Sequence, residues 1–306
     1  MNQSDLIDDF EALTKRMEME LERDSRFAPS LFWKDLTRKN LAMLRADGIA
    51  NFKRSLSQNY FNWIVDRKSS VYRNVRSQWL RRPTLRPWRT RIEGKATIRF
   101  TNMAQPKTLT RDELNDYRLM VGYMWDVMLR LDAAGLHRTL AEPEIGNPIR
   151  TVQSGKRISQ DLAHSIIAAN AVLEALGANT SPPRIAEIGA GSGRLAYVFA
   201  ATRNAAPYCI FDIPPALCVS QWYISNVLPD RRIFQFRPFD RFEDVAEEIA
   251  NADVAFFSAN QITKFPPGYF DVVLSISTLP EMSRSQVDLY LNLFQSLSRR
   301  IIFLKQ

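Results

Sequence analysis

The feature that most constrains this 306-residue chain is a series of short apolar runs in its second half, each set off from the next by a segment of helical periodicity. The runs are 184–188, 208–213, 252–258, 270–276 and 301–304, and each reads as a buried strand. Ser159 suits the N-cap of a helix that runs to about Leu176 and stops at Gly177. Further helices are predicted from about Leu195, from Pro215, over 242–250 and over 283–297, while 232–236 is a further strand candidate. Strands alternating with helices predict a parallel sheet covered on both faces. The fold class is therefore α/β, with a Rossmann-like parallel-sheet domain over 151–306.

Residues 1–150 read differently. Leu6, Phe10, Leu13, Met17 and Leu21 recur at helical spacing within an otherwise polar stretch. A helical region dense in aromatics is predicted over 31–80, with Phe32, Trp33, Phe52, Tyr60, Phe61, Trp63, Tyr72 and Trp79. Pro83, Pro87 and Gly94 break regularity, so 81–96 reads as an extended basic loop. Thr110 with Glu113 three residues on is a capping box opening helical structure over 111–140, and 141–158 reads as an irregular connection. The predicted organisation is a mainly helical, basic substrate or cap region, 1–150, ahead of the sheet domain.

Charge separates the same halves. The first 150 residues hold 27 basic and 19 acidic residues, and the rest hold 14 of each. Most of the excess lies between Arg67 and Arg99, where 11 basic residues face Glu93 alone. This favours an anionic partner such as a phosphorylated small molecule, a nucleic acid or an acidic membrane surface. With 45% hydrophobic and 24% charged residues the chain has ordinary globular composition. No apolar run approaches a membrane span. The acidic N-terminus lacks the apolar core of a secretory signal. Two cysteines, Cys209 and Cys218, make no disulfide framework, so a reducing, cytoplasmic setting is expected.

The sharpest local signal is Glu187-Ile188-Gly189-Ala190-Gly191-Ser192-Gly193 between a predicted strand and a predicted helix. Glycines permit a tight turn and close approach of a ligand to the backbone, and the helix start behind them offers unpaired N–H groups. The spacing is Gly-x-Gly-x-Gly rather than that of dinucleotide binders. Asp212 ends the next strand, 23 residues after Gly189, where a carboxylate can accept hydrogen bonds from both ribose hydroxyls of a nucleoside.

This constellation resembles the class I S-adenosylmethionine-dependent methyltransferases. More narrowly, Pro29-Ser30-x-Phe32-Trp33 and the runs 51–64, 189–199, 211–223 and 270–282 resemble the sugar O-methyltransferases of bacterial surface-polysaccharide and glycoside pathways. The resemblance implies S-adenosyl-L-methionine as cofactor. Gly189, Gly191 and Gly193 would line its methionine part and Asp212 would hold the ribose, with Glu187 as the acidic opening of the motif and Ala190 and Ile213 as further cofactor contacts. Ser258, Asn260 and Ser275 are the other candidate contacts, the first two toward adenine. The implied acceptor is a small molecule or glycan, anionic in view of the basic half. Nucleic-acid methylation and a non-catalytic scaffold role are the competing readings.

A sugar hydroxyl is a poor nucleophile, so a general base is expected. Relatives often carry His in the loop after the fourth strand. Here Pro280 stands in that neighbourhood, which leaves Glu281 as the leading candidate; it also suits a helix N-terminal acid. His164 is the second candidate, and it also reads as an ordinary surface or core histidine. His137 reads as a helix C-terminal residue. The paired acids that hold a divalent metal in some sugar methyltransferases are not present; Ser275 and Ser277 stand after the fourth strand, and no metal is expected. The fold normally continues past its fifth strand into a hairpin. Strand 301–304 is therefore expected either to belong to a shortened form lacking that hairpin, or to be covered by the N-terminal region or a second copy in a homodimer.

Overall fold

The computed structural model describes residues 3–55, 70–81, 89–99, 105–177 and 181–305. Tyr60, Phe61, Trp63, Pro83, Pro87, most of the 51–64 run and part of the basic stretch lie outside the described residues, as does the side chain of Trp79. The chain forms two compact units, one of residues 1–42 and 172–306 and one of residues 43–171. Among the described residues no helix is long and apolar enough to cross a membrane.

The first unit is built on six parallel strands: β1 (Ile185–Ile188), β2 (Tyr208–Asp212), β3 (Ile233–Phe234), β4 (Val254–Ser258), β5 (Phe270–Ile276) and β6 (Ser298–Lys305). Their order is β6-β5-β1-β2-β4-β3. The predicted strands are present, and the candidate at 232–236 is the short edge strand β3. The helices of this unit are α1 (Gln3–Leu21), α2 (Leu31–Asp47, whose last turn falls in the other unit), α3 (Arg194–Thr202), α4 (Ala216–Val227), α5 (Ala246–Asn251) and α6 (Arg284–Leu297). The chain runs from β1 to its neighbour β2, out to the edge strand β3 and back to β4 between them, then crosses to place β5 on the other side of β1. Strand order thus reverses between β1 and β5, and the carboxyl ends of strands at such a reversal are where open α/β sheets bind ligands.

Every residue of β1, β2 and β4 is buried. Alternate positions serve opposite faces. One face carries Ala186, Ile188, Cys209, Phe211, Ala255 and Phe257 into an aromatic core, with the Phe211 and Phe257 rings stacked at 5.1 Å and Phe265 edge-on to both. Cys209 is a core residue, as expected. Glu187, Tyr208 and Asp212 occupy the alternate positions, so the polar groups of these strands share the other face. At the opposite edge β6 leaves Ile302 and Leu304 each 41% exposed.

Residues 1–42 join this unit, where the sequence reading had grouped them with 43–150. Phe10, Met17 and Leu21 of α1 are buried, as the periodicity predicts. The segment is tied along its length: the Cys218 thiol of α4 contacts the Phe10 carbonyl at 3.7 Å, Asn260 Nδ2 donates to the Glu20 carbonyl at 2.8 Å, and Gln286 Nε2 donates to the Ala28 carbonyl at 2.8 Å. Phe27 meets Tyr290 edge to face at 5.6 Å. Spacing reveals that α1 has an apolar stripe; only tertiary pairing decides which surface, some 200 residues on, covers it.

The second unit contains helices Ser70–Leu80 and Arg111–Leu131, the greater part of Gln160–Leu176, and a three-stranded antiparallel sheet of Thr90–Ile92, Thr151–Gln153 and Lys156–Ile158. The Thr110–Glu113 capping box forms: Glu113 N–H donates to Thr110 Oγ1 at 3.3 Å and Thr110 N–H to Glu113 Oε2 at 2.9 Å. His137 follows that helix, its Nδ1 2.6 Å from Asp132 Oδ2. The predicted irregular connection over 141–158 is in part a hairpin. Ser154 and Gly155 have φ of 53° and 79°, the paired positive values a tight two-residue hairpin turn requires. Its first strand pairs with Thr90–Ile92, about sixty residues earlier, which gives the expected basic loop a strand of its own.

Candidate functional site

The loop between β1 and α3 uses each glycine differently. Gly189, Gly191 and Gly193 have φ of 74°, 60° and 76°, values side chains disfavour. The Gly189 N–H donates to the Phe211 carbonyl at 2.9 Å, tying the loop to β2. After β5, Ser277 adopts a left-handed φ of 57° and brings Thr278 over Gly189. A Cβ on Gly189 would lie 2.3 Å from Thr278 Oγ1. A Cβ on Gly193 would lie 3.2 Å from Ser220 and Ile224 of α4, so that glycine permits close helix packing. Gly191 turns its N–H to Asp212 Oδ2 at 2.8 Å, and the Ile213 N–H donates to Asp212 Oδ1 at 2.7 Å. Thus the carboxylate ending β2 and the glycine loop are held together, with Ala190 buried between the flanking glycines.

The close approach of Thr278 yields a first expected outcome. Gly189→Ala costs about 2–3 kcal/mol, from left-handed strain and overpacking together. Urea unfolding of the full chain checks it, and adding Thr278→Gly restores much of the loss by clearing the side chain from the clash. A neutral Gly189→Ala would mean the loop has room that this packing denies it.

Two buried carboxyls meet here. Glu187 is 3% exposed and accepts a hydrogen bond from the Tyr208 hydroxyl at 2.7 Å. Burial pushes its carboxyl up to about 7, with Asp212 adding repulsion and the Tyr208 hydroxyl and Arg194 opposing. Asp212, 7% exposed, is also pushed up to about 7 by burial; its two backbone donors oppose the rise and Glu281 adds to it. A group whose folded pKa exceeds its unfolded value holds more protons when folded, so its contribution is present below the ordinary carboxylate pKa and is lost as pH rises toward 7. Glu187→Gln, which can still pair with Tyr208, is therefore expected to gain stability relative to the parent on going from pH 5 to pH 8. Thermal unfolding at both values checks it; an offset independent of pH would place Glu187 in an ordinary environment.

Glu281 lies in a short 3-10 turn after β5. Its carboxyl is half-buried and raised by burial, while a hydrogen bond from the Trp33 side chain lowers it. Ser30 Oγ donates to the Glu281 carbonyl at 3.1 Å. The Pro29–Trp33 run, quoted above only for its resemblance, thus lands on the loop of the leading base candidate. Ser258, Asn260 and Ser275 are buried; Ser258 pairs with Gln261, its N–H donating to Gln261 Oε1 at 2.9 Å, while Asn260 Oδ1 and Ser275 Oγ have no hydrogen-bond partner among the described residues. Ser258 is the register partner of Asp212 across β2 and β4. The Asn260 amide nitrogen is spent on the Glu20 carbonyl. His164 lies on helix Gln160–Leu176 in the 43–171 unit, whereas Glu281 and the other candidates are in the sheet unit.

Thr278 belongs to the loop expected at the acceptor site, whereas Tyr208, Trp33 and Ser30 carry no local signal of a place in the site. Only strand register reveals the partnership of Tyr208 with Glu187, and only the docking of residues 1–42 brings Trp33 to Glu281. Among the described residues no group of three or more His, Cys, Asp or Glu is placed to hold a metal ion. No protein-family model matches the chain, and no curated protein sequence matches it.

Proposed function

We propose that this protein is an S-adenosylmethionine-dependent methyltransferase that O-methylates a hydroxyl of a sugar-containing acceptor. One observation carries the reading: the Asp212 carboxylate sits at the carboxyl end of β2, tethered to the Gly191 amide of a left-handed glycine loop beside the strand-order reversal. Each Asp212 oxygen accepts one backbone N–H and keeps a lone pair for a ligand hydroxyl. The Asn260 and Ser275 oxygens, unpartnered among the described residues, fit the same chemistry, because buried acceptors without donors favour a ligand rich in hydroxyl and amino groups.

The cofactor, when bound, supplies an activated methyl group on a sulfonium. Asp212 would hold the ribose hydroxyls, and the glycine loop at Gly191 would receive the amino-acid part. Glu281 takes the proton of the acceptor hydroxyl on a carboxylate oxygen. A base works best when its pKa approaches the working pH, and burial moves Glu281 in that direction. The preferred acceptor is an anionic sugar derivative, in keeping with the basic first half.

The test is calorimetry with S-adenosylhomocysteine, followed by transfer of labelled methyl from the cofactor to a panel of nucleotide-sugars and glycosides. Binding plus transfer to a sugar hydroxyl supports the reading; folded protein that takes up no S-adenosylhomocysteine overturns it. Methylation of oligonucleotides instead of sugars keeps the cofactor site and replaces the acceptor.

A further inference from the structure

A cleft in the 43–171 unit has a wall unlike its surroundings. It measures about 510 Å³ and is lined by Arg91, Ile92, Gly94, Arg111, Asp112, Leu114, Asn115 and Arg118. Three guanidiniums thus face a single carboxylate, Asp112. Arg118 is half-buried and pinned, with Nη1 donating to the Thr90 carbonyl at 3.2 Å and Nη2 to Asn115 Oδ1 at 2.6 Å. Arg91 is exposed and lies 3.3 Å from a Glu93 carboxylate oxygen. Arg111 is exposed and makes no ion pair among the described residues.

Arg111 and Asp112 are also the first two residues of the 21-residue helix Arg111–Leu131. The capping box satisfies the Thr110 and Glu113 N–H groups. The amides of Arg111 and Asp112 have no carbonyl in the preceding turn to bond, and the helix dipole adds positive potential at the same end. Gly94, at φ 78°, has nothing within 4 Å of where a side chain would start, so it lines the cleft with bare backbone. Ile92 and Leu114 supply a half-buried apolar wall beside the charges.

We propose that this cleft binds an organic phosphate ester. The phosphoryl group would lie between Arg111 and Arg118 at the helix start, and the organic part against Ile92 and Leu114. Guanidiniums match phosphate oxygens two at a time, and a pinned one loses little freedom on binding. The volume suits a ligand larger than inorganic phosphate. The Asn115 amide group, whose oxygen is held by Arg118, has N–H donors left for a hydroxyl. Every residue used belongs to one compact unit, so this inference stands apart from the proposed methyltransferase site.

The experiment titrates the full chain with glucosyl phosphate, glucose and inorganic phosphate at fixed ionic strength. Glucosyl phosphate should bind, glucose should not, and inorganic phosphate should bind more weakly than the ester. Arg111→Gln should weaken glucosyl phosphate by about tenfold or more, the loss of one charge-assisted contact. Arg111→Lys should recover part of that affinity, and Asp112→Asn should tighten binding by removing the opposing charge. Thermal unfolding serves as the control for folding and should not change in any of these variants. The proposal is overturned if glucosyl phosphate fails to bind, or binds Arg111→Gln as well as the parent. It is equally overturned if only vesicles containing phosphatidic acid, or only single-stranded oligonucleotides, are captured.

Discussion

Replacing Asp212 by alanine should weaken S-adenosylhomocysteine by about a hundredfold or more. Two hydrogen bonds from ribose hydroxyls to a buried carboxylate contribute about 3 kcal/mol or more together, because charged acceptors gain more than neutral ones. At about 1.4 kcal/mol per factor of ten, that is at least two orders of magnitude. The substitution also frees the Gly191 and Ile213 amides, so the loop loses its tether together with the ligand contact. Asp212→Asn separates these effects: it keeps one acceptor for the loop and removes the charge, and should fall between parent and alanine. The parent should show a pH signature. With the carboxyl pushed up to about 7, a ligand that prefers the ionised form must displace a proton below that pH. Affinity should therefore fall by up to tenfold for each unit below pH 7, and level off above it. Calorimetry from pH 5.5 to 8.5 reads both effects, with thermal unfolding as the check on folding. An alanine variant of parental affinity would place the nucleoside elsewhere.

The largest expected change in stability lies in the other unit. Lys53 is fully buried and Glu142 is 4% exposed, with Lys53 Nζ 2.5 Å from Glu142 Oε1. Ser159 Oγ donates to the other carboxylate oxygen at 2.6 Å, while also capping the following helix by accepting from Leu162 N–H. Burial pushes the Lys53 ammonium down, and the attraction of Glu142 holds it up. Gly146 packs against the stem of this lysine: a Cβ there would lie 2.4 Å from Phe52 and 2.8 Å from Lys53, so only glycine fits. Lys53→Met removes the cation and leaves a carboxylate buried with one hydroxyl for company. The cost is about 3–5 kcal/mol, whereas the double change Lys53→Met with Glu142→Leu costs less because the directly paired carboxylate goes with the cation, leaving only the smaller lost attraction to Asp161. Urea unfolding of the full chain measures both variants; a double variant no better than the single would show the pair to be solvated.

Much of the sheet unit was legible because its signals are local. Short apolar runs specify strands buried on both faces; in the 43–171 unit, caps at Thr110 and Ser159 likewise mark helix starts where they occur. The hairpin at 151–158 was passed over although Ser154-Gly155 is a turn signal, because the strands are three residues each and their third partner is distant. Periodicity found α1, but could not say that Glu20 and Ala28 would cap side chains at Asn260 and Gln286. At the candidate site, the glycine loop and Asp212 stood out by spacing, whereas the Thr278 contact did not. It depends on β5 lying beside β1 and on the left-handed turn at Ser277.

By itself the sequence determined the alternating α/β pattern, the glycine turn between β1 and α3, and the acid at the end of β2, since each follows from backbone sterics and burial over a few neighbouring residues. The tertiary structure alone decided that residues 1–42 pack with the sheet, that Trp33 reaches Glu281, that Tyr208 holds Glu187 and that three arginines share one cleft. Those outcomes depend on strand register and on pairings between residues far apart in the chain, and such pairings leave no periodic trace in the order of amino acids.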